Sequence, residues 1–339
     1  MHLIYTIKQV VTNVKNKILR LLKESEDFLS GEKISEEFGV TRAAIWKTIN
    51  SLKEEGYEIE SISRKGYRLL SSPDVLTYEE IKDYLNTRFI GRKIHYFDTI
   101  NSTNKMAKEI AHKQGEGIVI VAEEQIEGRG RLGRTWESPR EKGIYFSIIL
   151  KPQVHPMKVS KLTLVGAAAV HLALEEIGVK STIKWPNDIL INGKKVCGIL
   201  TEMSSELNMI NHVVMGIGIN VNLDRNEIPK DLQDKATSLK IESRDIVNRK
   251  KLLASILNKF ESFYIPFMEG GEITQAIEVC RKNSAVIGKE VQMINGSTKR
   301  LCKVIDLNDA GELVVEFADG RIEPIISGEI SIRGINGYT

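Results

Sequence analysis

The chain has 339 residues, 42% of them hydrophobic and 27% charged, with a formal net charge of +3 at pH 7. That length exceeds what one core usually holds and predicts two or three domains, while the balanced charge excludes a general nucleic-acid coat, so any DNA contact must come from a local patch. Three widely spaced cysteines, Cys197, Cys280 and Cys302, form no Cys-x-x-Cys pair and indicate neither a zinc site nor a disulfide framework.

The first residues, Met1 to Lys8, lack the basic start and long apolar stretch of a signal peptide. No run of 18 apolar residues follows, so we expect a cytoplasmic protein with no membrane span.

From about residue 13 the spacing of Ile18, Leu21 and Leu22 predicts a helix. Ser30 can cap a second helix holding Ile34 and Phe38, and Gly39-Val40 makes a turn. Thr41 can cap a third helix running to about Glu55, with Ile45, Ile49 and Leu52 on one face. This is the layout of a helix-turn-helix. Tyr57 to Leu70 alternates weakly and turns at Arg64-Lys65-Gly66, as a two-stranded wing does.

The candidate DNA-contacting residues are therefore Thr41, Arg42, Ala43, Trp46, Lys47 and Asn50 on the third helix, with Arg64 and Lys65 on the wing. Arg68 is a further candidate for phosphate. Residues 1–75 carry 12 Lys/Arg against 11 Asp/Glu, so it is the layout and not bulk charge that points to DNA.

Ser71-Ser72-Pro73-Asp74 reads as a linker. Beyond it come a helix near Thr77–Leu85, a strand at Ile94–Phe97, and the polar turn Asp98 to Asn104 leading into a helix. A buried strand, Gly117–Ala122, ends in Glu123-Glu124-Gln125. Gly143–Leu150 is the next strand and Met157–Ile177 a long apolar helix. Asn192-Gly193 is a strong hairpin turn between Ser181–Ile191 and Lys195–Leu200. Val213–Val221 is a strand whose Gly216 and Gly218 imply close approach of a ligand or of backbone. Ser243–Met268 and Ile273–Asn283 read as helices, and from Gly288 short alternating segments suggest a small β-barrel of roughly five strands.

Four segments carry chemistry. Gly128-Arg129-Gly130-Arg131-Leu132-Gly133-Arg134-Thr135-Trp136 alternates flexible and cationic residues at a strand end, where backbone N–H groups and guanidinium forks wrap an anion and Trp136 offers a stacking face. Ser102-Thr103-Asn104 places small polar groups on a turn. Lys184-Trp185-Pro186-Asn187-Asp188 gives an amide and a carboxylate beside a rigid proline, and Lys195 gives one positioned ammonium.

The Gly-Arg loop, the Lys184–Asp188 run and Lys195-Val196-Cys197-Gly198-Ile199-Leu200 resemble the signature blocks of the biotin–protein ligases. With Thr41–Ile45 and Lys65-Gly66-Tyr67, the whole resembles the bifunctional type that also represses a biotin operon. The resemblance runs from about residue 15 to 335. It implies an α/β multidomain chain: a winged helix-turn-helix (1–72), a central α+β ligase domain with a mixed, class II synthetase-like sheet (76–284), and a small SH3-like β-barrel (285–339).

The resemblance further implies an ATP-dependent reaction with Mg²⁺. Biotin and ATP give biotinyl-5′-AMP, and the biotinyl group passes to a lysine of a biotin carboxyl carrier protein. The adenylate acts as corepressor by promoting a homodimer on operator DNA. Carried onto this sequence, Ser102, Thr103, Asn104, Gln125, Gly128, Arg129, Gly130, Arg131, Lys195 and Gly198 would hold biotin. Arg131, Arg134, Trp136, Asn187, Lys195 and Asn220 would hold ATP or the adenylate, Asn220 toward Mg²⁺. Lys195, Arg131 and Asp188 would serve the chemistry, and no resident metal ligands are expected. Lipoyl or octanoyl ligases share that fold but would carry a different glycine loop.

Overall fold

The computed structural model describes residues 14–206, 209–327 and 330–334. The chain divides into two compact units at Asp74/Val75.

In the first unit, helix α1 (14–24) is followed by α2 (Gly31–Phe38) and α3 (Arg42–Glu54), then by the hairpin β1 (Glu58–Ile62) and β2 (Gly66–Ser71). The caps are those the sequence predicts. Ser30 accepts from Lys33 N and Thr41 accepts from Ala44 N, each satisfying a donor the helix start leaves open. Ile18, Leu22, Ile34, Ile45, Ile49 and Leu52 are fully buried and make the core. Each such side chain contributes about 1.5–3 kcal/mol of transfer free energy. Leu29 exchanges two backbone hydrogen bonds with Tyr67 (2.8 and 2.9 Å), which ties the wing to the start of α2.

The second unit opens with a short helix α4 (Tyr78–Ile81). Its main sheet is β3 (Ile94–Ile100), β4 (Val119–Gln125), β5 (Gly143–Leu150), β6 (Thr182–Lys184), β7 (Asp188–Ile191), β8 (Lys194–Glu206) and β9 (Met209–Asn220). Their spatial order is β3-β4-β5-β9-β8-β7-β6. Only β3–β4 is parallel, so the sheet is mixed. Helix α5 (Thr103–Ile110) covers one face through Ala107, against Ile120, Ile149 and Val214. The helices α6 (Lys161–Glu176), α8 (Arg249–Gly270) and α9 (Thr274–Lys282) cover the other, with the short α7 (Leu239–Ser243) just before α8. β5 is buried along its whole length, as a continuous apolar run covered on both faces must be.

Residues 156–176 are long and apolar enough to cross a membrane by length and composition, but α6 is the central core helix of this unit. Residues 243–268, expected as one helix, are interrupted. Arg244 sits in the left-handed region (φ 62°) as the cap of α7, and Asn248 restarts the chain by accepting from Lys251 N. No Gly or Pro marks that break.

The last five strands, β10 (Glu290–Asn295), β11 (Thr298–Leu307), β12 (Leu313–Phe317), β13 (Ile322–Ile325) and β14 (Ile330–Gly334), form an antiparallel sheet in the order β13-β12-β11-β10-β14. Its apolar face (Val291, Val304, Val315) is continuous with the core of the main sheet. Trp185 Nε1 donates to Gly311 O (3.1 Å) and Arg281 Nη2 to Leu307 O (2.7 Å), so the small sheet is fixed beside the β6–β7 turn.

Candidate functional site

The Gly-Arg loop leaves the end of β4 and pairs with itself. Trp136 N donates to Gly128 O (2.9 Å), Gly130 N to Arg134 O (2.7 Å), and Arg129 bridges Thr135. Leu132 (φ 57°) and Gly133 (φ 71°) make the tip. The three arginines therefore diverge. Arg134 is exposed and Arg129 lines the inner pocket. Arg131 turns inward and donates to Asn187 Oδ1 (2.9 Å) and Ile330 O (3.3 Å). Burial holds the Arg131 guanidinium below its ordinary pKa, partly offset by Asp188.

Trp136 closes over the sheet where β8 and β9 carry glycine. A Cβ at Gly218 would lie 2.5 Å from Trp136 Nε1, and one at Gly198 would lie 3.0 Å from its ring. The close approach at Gly218 is made by an indole side chain, where the sequence suggested a ligand or backbone. Lys195 Nζ sits 5.3 Å from the ring centroid, a cation over an aromatic face.

Below the loop, a pocket with about 40 Å³ of interior space is floored by α5 and the sheet. Ser102 stands at the N-cap position of α5 but makes no capping bond, and it is 2% exposed. Gln125 Oε1 accepts from Thr103 N (2.9 Å) and Thr103 Oγ1 (3.1 Å), while Gln125 Nε2 donates to Ser138 Oγ (2.9 Å). Ser147 of β5 lies beneath Thr103 and Asn104. Gly216 makes room for Asn104, whose Oδ1 would overlap any Cβ there.

At the mouth of this pocket the charges gather. Lys195 Nζ pairs with Asp188 Oδ1 at 2.6 Å, and Asn187 Nδ2 donates to Ile199 O (3.1 Å). Lys184 faces Asp188 in the β6–β7 register. It is 4% exposed, and burial, with Arg333, Lys195 and Arg134 nearby, pulls its pKa down to about 7 against the attraction of Asp188. These groups line a second cavity of about 100 Å³ between the loop tip, Asp188 and β14.

A third, wider cavity of about 790 Å³ opens on the other side of Trp136. Lys195, Arg134 and Asn220 reach it, and Leu223, Ile228 and Leu232 give it an apolar wall. Asn220 Nδ2 donates to Thr237 O (3.0 Å), which leaves its carbonyl oxygen as the free end.

The structure thus brings Ser102, Thr103, Asn104, Gln125, Arg129, Gly130, Arg131, Trp136, Asn187, Lys195 and Gly198 around one pocket. Asp188 and Arg134 stand at its mouth, and Asn220 beyond it. Gly128 lies outside the pocket wall. Its part is to let the loop fold back, since a Cβ there would strike Trp136 O. Sequence reasoning missed Ser138, Ser147, Arg333 and the wall from Leu223 to Leu232, all brought in by tertiary contact. Lys184 was legible only as part of its motif, not as a buried cation. Among the described residues no three His, Cys, Asp or Glu side chains gather to hold a metal ion.

In the first unit, Thr41, Arg42, Ala43, Trp46 and Lys47 are exposed on α3, with Trp46 at 61%, and Asn50 is half-buried. A groove of about 530 Å³ runs between α3 and the wing, edged by Arg42, Trp46, Asn50 and Arg64. Lys65 Nζ lies 5.9 Å from the Phe28 ring centroid. Arg68 pairs with Glu60 at 2.8 Å and stacks on Phe28, so it is engaged within the unit and not held out toward a phosphate.

Three family descriptions match this chain: an HTH domain over residues 14–68, the biotin/lipoate A/B protein ligase family over 96–220, and the biotin protein ligase C-terminal domain over 286–333. The bifunctional ligase/repressor BirA of Bacillus subtilis (strain 168) is 38% identical over 95% of this chain and 99% of its own length. The protein of the same name from Escherichia coli (strain K12) is 29% identical over 94% of this chain and 96% of its own. Among solved structures, the biotin protein ligase from Aquifex aeolicus in complex with biotin and ATP superposes with a TM-score of 0.63. It is 32% identical and covers 72% of this chain and 99% of its own.

Proposed function

Because this chain belongs to the biotin protein ligases, and matches the bifunctional ligase/repressors over nearly their full length, we propose that it activates biotin with ATP, biotinylates a carrier protein and represses transcription in response to biotin. The carrying observation is the pair of cations Arg131 and Lys195, with the buried Lys184 amine that phosphate would charge, at the junction between the small polar pocket and the wide apolar-walled one. A carboxylate attacking the α-phosphate of ATP brings negative charges together at such a junction, and fixed cations and N–H donors stabilise what develops there.

In this reading biotin's ring head lies against Ser102, Thr103 and Gln125, with backbone N–H groups near Arg129 and Gly130. Its carboxylate reaches Lys195 and Arg131. The nucleotide occupies the wide cavity, its base against Trp136 and its phosphates toward Arg134, Lys184 and Arg333. The carboxylate oxygen attacks the α-phosphorus and pyrophosphate leaves, giving biotinyl-5′-AMP. The loop then shields the mixed anhydride from water.

Asp188 first holds Lys195 in place. When the adenylate phosphate draws Lys195 toward itself, Asp188 is left to take a proton from the acceptor lysine as its amine attacks the acyl carbon and AMP departs. Mg²⁺ would arrive on ATP's own phosphates, and Asn220 Oδ1 would be the protein oxygen to help hold it. It would neutralise phosphate charge.

The helix-turn-helix unit binds operator DNA through α3 and the wing, and the adenylate promotes the homodimer that presents two such units to a palindromic site. The carrier protein competes for the same surface. The setting is the cytoplasm, and the three buried free thiols suit a reducing compartment. One preparation tests both activities. Biotin-dependent pyrophosphate release and mass gain on a carrier domain report the ligase, with lipoate as the control substrate. Gel shift on the biotin operator with and without biotin plus ATP reports the repressor. Transfer of lipoate in preference to biotin would overturn the first activity, and operator affinity indifferent to biotin and ATP the second.

A further inference from the structure

The pocket floor contains a chain of hydrogen bonds whose direction can be read atom by atom. Asn104 is 4% exposed, and its Nδ2 lies 3.3 Å from Leu200 O and 2.9 Å from Glu202 Oε2. A backbone carbonyl and a carboxylate only accept, so that end of the amide is the nitrogen and Oδ1 is the other end. Lys108 Nζ, 2.8 Å from Glu202 Oε1, keeps the glutamate in place as an anion. Burial works against that charge, but the bonds from Lys108 and Asn104 and the nearby Arg129 outweigh it.

Asn104 Oδ1 lies 2.6 Å from Ser147 Oγ. An amide oxygen accepts, so the single proton of Ser147 goes to Asn104. Ser147 Oγ, fully buried and 2.8 Å from Thr103 Oγ1, can then only accept from Thr103. The other neighbour of Thr103 Oγ1 is Gln125 Oε1 at 3.1 Å. That oxygen is also an acceptor, because it already takes Thr103 N–H. Both protein partners of the Thr103 hydroxyl thus wait for its proton, which leaves its lone pairs to accept from the pocket that Thr103 lines.

We infer that Ser147, directed by Asn104 and Glu202, is a positioning residue that fixes Thr103 as a hydrogen-bond acceptor and so makes the pocket select a ring N–H on the substrate head. The inference rests on the biotin reading of this pocket and deepens it. A ureido head offers such an N–H, whereas a dithiolane or alkyl chain offers none. A head group presenting an oxygen to Thr103 competes with two acceptors already in place.

The test compares biotin with its two cyclic carbamate analogues, in which one or the other ring N–H is replaced by oxygen, using pyrophosphate release by the full chain. The wild type should reject at least one carbamate strongly in kcat/KM. In Ser147→Ala the hydroxyl of Thr103 loses its nearer acceptor, and the biotin-to-carbamate ratio should fall about tenfold, with the effect on KM and not on kcat. Ser147→Cys keeps the volume with a weaker acceptor and should move the same way.

Thr103→Val should abolish the discrimination, and adding Ser147→Ala to it should change the ratio no further. A ratio held by Ser147→Ala and Ser147→Cys, or a full Ser147→Ala effect in the Thr103→Val background, overturns the inference while leaving biotin activation intact. A wild type that releases no pyrophosphate with biotin overturns the underlying reading as well.

Discussion

Replacing Lys195 by Met separates what this lysine does for the fold from what it does for the reaction. Its ammonium lies 2.6 Å from Asp188, and the two side chains are 24% and 11% exposed. At an effective dielectric near 20 the gross attraction at that distance is about 6 kcal/mol. Desolvating both groups opposes most of it, and the remaining exposure screens more, so loss of the lysine should cost about 1–2 kcal/mol, chiefly by leaving a half-compensated carboxylate. For a unit of this size that lowers Tm by roughly 2–6 °C.

Lys195→Met/Asp188→Asn removes the stranded charge and should recover most of that loss. Adenylate formation should not recover. Removing a cation aimed at developing charge costs about 10²–10³ in rate, and a stabilised double variant still lacks it. Thermal unfolding and single-turnover adenylate formation, measured on both variants, decide the matter. If the double variant is less stable than either single one, the two side chains are not a coupled pair. If Lys195→Met forms adenylate at the wild-type rate, the lysine does not face the reacting centre.

Lys184 gives a pH signature. Its pKa of about 7 in the fold lies below its ordinary value, so the unfolded chain holds the proton more tightly. Stability should therefore rise with pH from about 7 toward the unfolded lysine pKa, and Lys184→Met should flatten that rise in denaturant titrations. Nucleotide phosphates should restore its charge, so ATP binding at pH 8 should take up a proton, visible as a buffer-dependent calorimetric heat. Gly218→Ala places a Cβ 2.5 Å from Trp136 Nε1 and should push the ring off the sheet, raising the KM for ATP about tenfold or more while Tm moves little; an unaltered KM would show that Trp136 does not form the nucleotide wall. Arg131→Ala breaks the bond to Asn187 that ties the loop across the pocket, and should shorten the lifetime of bound adenylate more than it slows its formation. Equal effects on both, in a chase experiment, would refute that role.

Much of this was legible along the chain because the signals are local. The caps at Ser30 and Thr41, the hairpin at Asn192-Gly193 and the apolar run Gly143–Leu150 each depend on a few neighbouring residues, and each stands where expected. Gly216 and Gly218 of β9 announced a close approach, though of a ligand or backbone and not of the Asn104 and Trp136 side chains that make it. What escaped depends on distant segments meeting. Ser147 looks like any polar residue in a buried strand until α5 lays Thr103 and Asn104 over it. Arg333 joins the cluster only because β14 pairs with β10 beside the β6–β7 turn. The break after Ser243 went unseen because Arg244, not a glycine, takes the left-handed turn.

The self-paired loop has a kinetic consequence. Residues 128–136 carry their own short ladder, so sealing the pocket need not freeze nine separate residues, each worth about 1–2 kcal/mol of backbone entropy. That pairing lets the segment order as a unit between its two stems. A ladder of that kind favours opening as one piece, and the lifetime of the trapped intermediate then depends on the stems near Gln125 and Ser138 as well as on the bond from Arg131 to Asn187.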